Sequence, residues 1–329
     1  MNENVIRVGR PDQTGQVVLA EYETVVKRLL ASALAEGTRR VYRIKLGLFG
    51  KWCSARGLSP LPASPETILA YVAELAQQGV SVSALTQSLA AISAAHRAAQ
   101  MPSPTQDFYV QQAVRGYRRE HGIAAHRATA ATGEIVKRMI RALLQEDSLR
   151  NLRDAALLSL GFAGAFRRSE LVALNVEDLS WDERDGREVA LVLVRRSKTD
   201  PEGHGMVKAV FGTADADTSP TLLLRRWLDA AGITEGAIFR QIRKGGHVQE
   251  ARLDGQSVGL IIQRAAAVAG LGMELTAHSL RSGFITSAIR RGLTERAVMH
   301  QTGHKTTAVL RGYYERESAV EDNAGREVW

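Results

Sequence analysis

The chain has 329 residues, and its 43 Lys and Arg outnumber 35 Asp and Glu for a formal charge of +8 at pH 7. That length fits about two domains, and 45% hydrophobic with 24% charged residues excludes a mostly disordered chain. The basic excess points to a polyanionic partner, nucleic acid ahead of membrane. The lack of a long apolar run or apolar leader and the single cysteine, Cys53, predict a cytoplasmic protein with no spanning helix and no disulfide framework.

Residues 1–17 read as a tail. Leu19, Tyr22, Val26, Leu29, Leu30 and Ala33 recur at helical spacing and predict a helix over 18–35, ended by Gly37. Thr38 is expected to cap a second helix reaching Ala55, with Tyr42, Leu46, Phe49 and Trp52 on one stripe. Ser64-Pro65-Glu66 combines a capping hydroxyl, a proline at the first helical position and an acid at the positive end of the dipole. It predicts a helix to Gln78, stopped by Gly79. Ser81 or Ser83 opens a fourth helix to about Gln100, broken by Met101-Pro102-Ser103-Pro104, and a fifth spans 107–120. Residues 18–128 thus read as a helical bundle. They also hold most of the positive excess: residues 1–128 carry 15 Lys and Arg against 9 Asp and Glu, and 129–329 carry 28 against 26. The stretch 121–133 has no hydrophobic period and reads as a linker.

Residues 129–329 mix element types. Helices are expected over 133–146 and 151–163, and short strands over 176–181, 188–195 and 206–211. Residues 182–186 form the turn between the first two strands, and the acids from Glu177 to Asp185 read as solvated turn residues rather than a metal site. After Ser219-Pro220 helical patterns continue to the end.

No phosphate-cradling G-x-x-x-x-G-K and no G-x-G-x-x-G after a strand occurs, so no nucleotide cofactor is expected. Thr276-Ala277-His278-Ser279-Leu280-Arg281-Ser282-Gly283 sets a histidine and an arginine three apart, a spacing that shares one helix face. Gly303-His304-Lys305-Thr306 follows, and Tyr313 stands nine residues beyond His304. Upstream, Ala165-Phe166-Arg167-Arg168-Ser169-Glu170-Leu171 follows an apolar helix, and Arg196-Ser197-Lys198-Thr199 lies between the second and third strands. Each fragment alone is weak, but their joint order and spacing are specific.

In that order these residues resemble the tyrosine recombinase (phage integrase) family, whose set runs Arg, Lys, His-x-x-Arg, His or Trp, Tyr. Arg167 matches the first arginine and Glu170 the acid three residues on. Lys198 matches the hairpin lysine, His278 and Arg281 the His-x-x-Arg pair, His304 the His/Trp position and Tyr313 the nucleophile. The Arg-x-x-Glu spacing favours Arg167 over Arg168, and the distance from His304 favours Tyr313 over Tyr314. Residues 38–53, 64–97 and 239–246 resemble the Cre-like branch, although that branch carries Trp where this chain has His304.

The resemblance implies a mainly α fold of two domains. A helical DNA-binding domain, 18–128, would precede a catalytic domain, 129–329, that is mixed α with a small three-stranded antiparallel sheet. It implies DNA strand cleavage and rejoining through a 3′-phosphotyrosine, without metal or other cofactor. The partners would be duplex DNA with an inverted-repeat site and further copies of the chain in a homotetramer, with Val328 and Trp329 docking on a neighbouring copy. A non-catalytic DNA-binding protein of the same fold and a type IB topoisomerase-like relaxase are the alternatives.

DNA binding needs phosphate contacts for affinity and base contacts for specificity. Arg39, Arg40 and Arg43 crowd the start of the second helix as a phosphate or major-groove face, and Gln87 matches a groove-lying helix of the resemblance. Gln256 and Ser257 open a later helix, where a glutamine can read adenine, and Arg243 and Lys244 can hold phosphate or reach the minor groove.

Overall fold

The computed structural model describes residues 34–122, 129–197, 200, 203–307 and 310–314. The chain divides into two compact units, Met1–His126 and Arg127–Trp329. The expected tail and nearly all of the helix over 18–35 lie outside the described residues, as do Lys198 and the docking segment at Val328 and Trp329.

In the first unit, α1 spans Glu36–Ser54 with Ala35 at its N-cap. Gly37 and Thr38 therefore sit inside this helix, where a stop and a cap were expected. A single glycine in an exposed first turn costs only about 1 kcal/mol, which the helix tolerates. Helix α2, Pro65–Gln77, starts as expected: Ser64 Oγ accepts from the Thr67 amide at 3.2 Å and Pro65 occupies the first turn. Ser81 caps α3, Val82–Ala98, by accepting from the Ala84 amide. Asp107 caps α4, Phe108–His121, by accepting from the Tyr109 and Val110 amides. The inward faces of the four helices meet in a core that includes Phe49, Ile68, Tyr71, Leu85, Ile92 and Val110. Cys53 is sealed in that core, and burial pushes its thiol pKa up, which keeps it an inert apolar filler.

The second unit is built around α6, Leu149–Ala163, which is buried along most of its length. Helix α5, Gly133–Leu143, packs on it, as do α8, Pro220–Ala230, and α10, Ser279–Arg290. Asp154 on α6 has no solvent exposure and is neutralised by Arg153 at 2.6 Å and by Arg264 at 2.6 Å. Arg264 belongs to α9, Gly255–Val268.

Strands β1, Leu179–Arg184, β2, Arg187–Val194, and β3, Met206–Phe211, form the expected antiparallel sheet in the order β1-β2-β3. The first strand lies later than its sequence pattern suggested, because residues 176–178 form a 3-10 turn. Its hairpin closes through Asp185 and Gly186 alone, at φ of 53° and 69°. Two positive φ values are what the favoured two-residue hairpin turn demands, and Asp-Gly supplies them. Asp178 is no solvated turn residue: it is buried, accepts from the Asn175 amide at 2.8 Å and pairs with Arg195. The stretch after Pro220 is not purely helical either, since β4, Arg240–Ile242, and β5, Val248–Arg252, form a second small hairpin. Short polar strands of this kind carry no clean alternation to read.

Candidate active site

The site begins where α6 ends. Gly164 and Ala165 turn the chain, with Ala165 at φ of 45°, and the buried Phe166 anchors the turn. Arg167 then stands at the N-cap of α7, Arg168–Ala173. Glu170, in the first turn, accepts from the Arg167 amide at 3.0 Å and from Arg167 Nη1 at 2.6 Å. The acid is 3% exposed, so this is a desolvated, charge-assisted pair that aims the guanidinium. Arg168, the competing arginine, is exposed.

Helix α10 supplies the second pair. His278 occupies its N-cap and Arg281 its first turn. Arg281 is 1% exposed; its Nη1 donates to the Ala165 carbonyl at 2.7 Å and its Nη2 to His304 Nε2 at 3.0 Å. The close seating of α10 depends on Gly283, where a Cβ would lie 1.8 Å from the Ala131 carbonyl oxygen. Burial, then the neighbouring Arg167 charge, lowers the Arg281 pKa to about 10, which leaves it charged at neutral pH.

His304 follows α11, Glu295–Thr302. Gly303 takes the left-handed conformation, φ 69°, that ends a helix and redirects the chain. The imidazole then lies between Arg281 and Thr302, whose Oγ1 is 2.9 Å from Nδ1. Burial first, then the charges of Arg281 and Arg167, pull its pKa to about 4, so the ring is neutral and Nε2 is free of a proton to accept from Arg281. His278 is exposed as a residue, yet the protein mass around its ring and the same two guanidiniums lower its pKa too.

Tyr313 lies in the helical residues 310–314, half-buried against a cluster of Ile285, Ala288, Ile289, Val298 and Leu310. Its charge, when ionised, acts favourably on Arg281. The Tyr314 hydroxyl instead donates to the Leu293 carbonyl at 3.2 Å. Arg167 and His304 line one cleft of about 540 Å³, together with His300 and Lys305. Lys198 lies outside the described residues, but its flanks Ser197 and Asp200 bridge to one another and line the same cleft. Five of the seven residues singled out from the sequence, Arg167, Glu170, His278, Arg281 and His304, thus form one electrostatic cluster with Tyr313 beside it. One guanidinium lining the cleft and a second bonded to the histidine in its wall put two positive charges at that space, an arrangement suited to bind an oxyanion as its charge grows.

Sequence reasoning missed two supporting side chains. Gln301 Nε2 donates to the carbonyls of Ala163 and Ala209, each at 3.0 Å, and so ties α11 to α6 and β3. Lys208 is 1% exposed beneath the cluster. Its signal was available: it occupies an inward position of β3, alternating with Val210, where an apolar residue belongs.

The residues expected to touch DNA are on the surface of their units. Arg39, Arg40 and Arg43 are exposed on α1, and Gln87 is exposed on α3 with its amide 3.3 Å from Ser83 Oγ. Arg243 and Lys244 are exposed in the turn between β4 and β5, and Gln256 in the first turn of α9. Ser257 is committed to the cap, since its amide and hydroxyl both donate to Asp254.

Residues 132–319 match the phage integrase family. The chain is 36% identical to an integrase/recombinase xerD homolog of Selenomonas ruminantium, over 91% of this chain and 87% of the relative. It is 29% identical to the tyrosine recombinase XerD of Bifidobacterium longum, over 85% and 87%. Among solved structures it resembles a lambda integrase tetramer bound to a Holliday junction, with TM-score 0.56, 17% identity and coverage of 93% and 81%. A XerH recombinase in a post-cleavage complex with palindromic difH gives TM-score 0.56 at 15% identity, with coverage of 87% and 78%. These structural likenesses bear out the mainly helical fold with its small antiparallel sheets.

Proposed function

The chain belongs to the phage integrase family of tyrosine recombinases, and from that premise we propose that Tyr313 cuts and rejoins DNA strands at a specific site. Arg167 and Arg281 hold the scissile phosphate between planar, permanently charged forks. His304, neutral and hydrogen-bonded to Arg281, keeps that fork in place. The Tyr313 oxygen attacks phosphorus and forms a 3′-phosphotyrosine as the bond to the 5′-oxygen breaks. A phenol titrates at about 10, so the proton must be taken up, and His278, held neutral, accepts it. Lys198 delivers a proton to the leaving 5′-oxygen. The ester bond conserves the phosphodiester, so a second 5′-hydroxyl reverses the step without a nucleotide cofactor.

On this reading residues 18–128 embrace the duplex and 129–329 carry the chemistry. Four copies act on two inverted-repeat sites through a Holliday junction, in the manner of the Cre-like branch. The observation that carries the reading is that Arg167 and His304 line one cleft, each held from behind by a buried partner, Glu170 and Arg281, with Tyr313 within electrostatic reach of Arg281. Covalent capture tests it. The chain is incubated with duplexes of randomised inverted repeats and a nicked spacer that traps the cut strand, with Tyr313→Phe in parallel. Denaturation-resistant adducts from the wild type alone are expected, and their sequences define the site. Adducts from the variant would shift the nucleophile to Tyr314. No adducts from either, with the same duplex enriched by both, would make this a DNA-binding protein without cleavage.

A further inference from the structure

Lys208 takes no part in the exchange just described. Its Nζ donates to the Gly164 carbonyl at 2.8 Å and to the Ala165 carbonyl at 3.3 Å. It lies 3.7 Å from Glu170 Oε2 and 4.6 Å over the Phe166 ring. Enclosing an ammonium is costly, and an apolar residue of similar volume at such a position is often neutral or stabilising. The inward pattern of β3 would accept one. The need for a cation therefore lies in what it touches. The Ala165 carbonyl is the same oxygen that Arg281 Nη1 grips, and Glu170 is the same acid that aims Arg167. One buried ammonium thus contacts the anchor of each guanidinium.

We propose that Lys208 is a positioning residue of the phosphate pocket: through the Ala165 carbonyl and the Glu170 carboxylate it fixes both guanidiniums and adds a third positive charge behind them. This rests on the reading that Arg167 and Arg281 hold a phosphate. The charged and titratable groups facing Lys208 are Glu170 on α7, Arg167 before it, Arg281 on α10 and His304 after α11. Burial, then Arg281 and Arg167, lower its pKa to about 7, against the pull of Glu170. An anion seated between the guanidiniums offsets their repulsion and favours the protonated lysine. Anion binding and proton uptake are then coupled, and an anion binds more tightly as pH falls through neutrality.

The test uses the full chain and inorganic sulfate, an anion that does not titrate in this range. Binding is followed through the arginine Nε–Hε signals by 15N NMR, with Arg167→Lys and Arg281→Lys as assignments. The wild type should bind sulfate about tenfold more tightly at pH 6 than at pH 8.5, the scale of one nearby unit charge in a half-wet site. Lys208→Met should bind weakly at both pH values. Lys208→Arg, which keeps its proton throughout, should bind tightly at both. A pH slope that persists in Lys208→Met, or wild-type affinity in that variant, overturns the proposal. If Lys208→Met does not fold, a wild-type slope in Lys208→Arg overturns it by itself. Sulfate binding needs neither a DNA site nor Tyr313, so failure of covalent capture would leave this result to stand or fall alone.

Discussion

At His304 the site is tuned by what surrounds a single ring. An imidazole in the unfolded chain titrates at about 6.5, whereas burial and the guanidiniums hold the folded one near 4. As pH falls, the unfolded chain therefore binds the proton first. The stability contributed by the neutral ring is complete above about 6.5 and is lost as pH drops toward 4. Because solvent reaches part of the ring, the loss is about 2 kcal/mol rather than the full value of the shift. Urea unfolding at pH 7 and pH 4.5 measures it, and His304→Gln should unfold with a smaller pH difference. Equal differences in the two proteins would show that another group sets the acid sensitivity. Residue identities at this scale were legible because Arg, His, Tyr and the acid at Arg-x-x-Glu spacing carry chemistry that few structural roles require together. Lys208 was passed over because an isolated lysine in a strand reads as surface, although its alternation with Val210 marks an inward position.

The helix starts were the most legible elements, since each cap is a local contest between a side chain and orphan amides. Ser64 takes the cap position its context suggests, Ser81 rather than Ser83 caps the next helix, and Asp107, expected as a first helical residue, caps the fourth. Gly37 misled, because a glycine stops a helix only where the backbone turns left-handed, and here it continues in α1. At α10 a glycine matters for a different reason. Gly283 lets the helix lie against the Ala131 backbone, which in turn donates from Ala131 N to the Ser279 carbonyl at 3.0 Å. Gly283→Ala must push the helix away from that segment and should cost about 3 kcal/mol or more in chemical unfolding. Because α10 carries His278 and Arg281, the variant should also lose cleavage beyond its loss of stability. A variant that unfolds like the wild type would mean that the segment at Ala131 yields without strain.

Across the whole molecule the charge is uneven, and most of the excess falls before residue 129. Arg39, Arg40 and Arg43 contribute three exposed cations to the start of α1. If they meet phosphates, replacing all three with alanine should weaken duplex binding at every sequence. The plot of log affinity against log salt should flatten by about 2 to 3. An unchanged slope would place that face in solvent. Among the described residues no helix is long and apolar enough to cross a membrane. The sequence by itself determined the mainly helical class, the three-stranded sheet and the order of the candidate site residues. Period, capping and spacing are local properties that survive without a partner. Only the tertiary structure decided that His304 accepts from Arg281 and that Lys208 is enclosed against the anchors of both guanidiniums. Those outcomes rest on contacts such as Arg281 to Ala165, 116 positions apart, and Lys208 to Gly164, 44 apart. They come from the packing of α6, β3 and α10 around one turn, and no local pattern encodes where that turn's carbonyls will point.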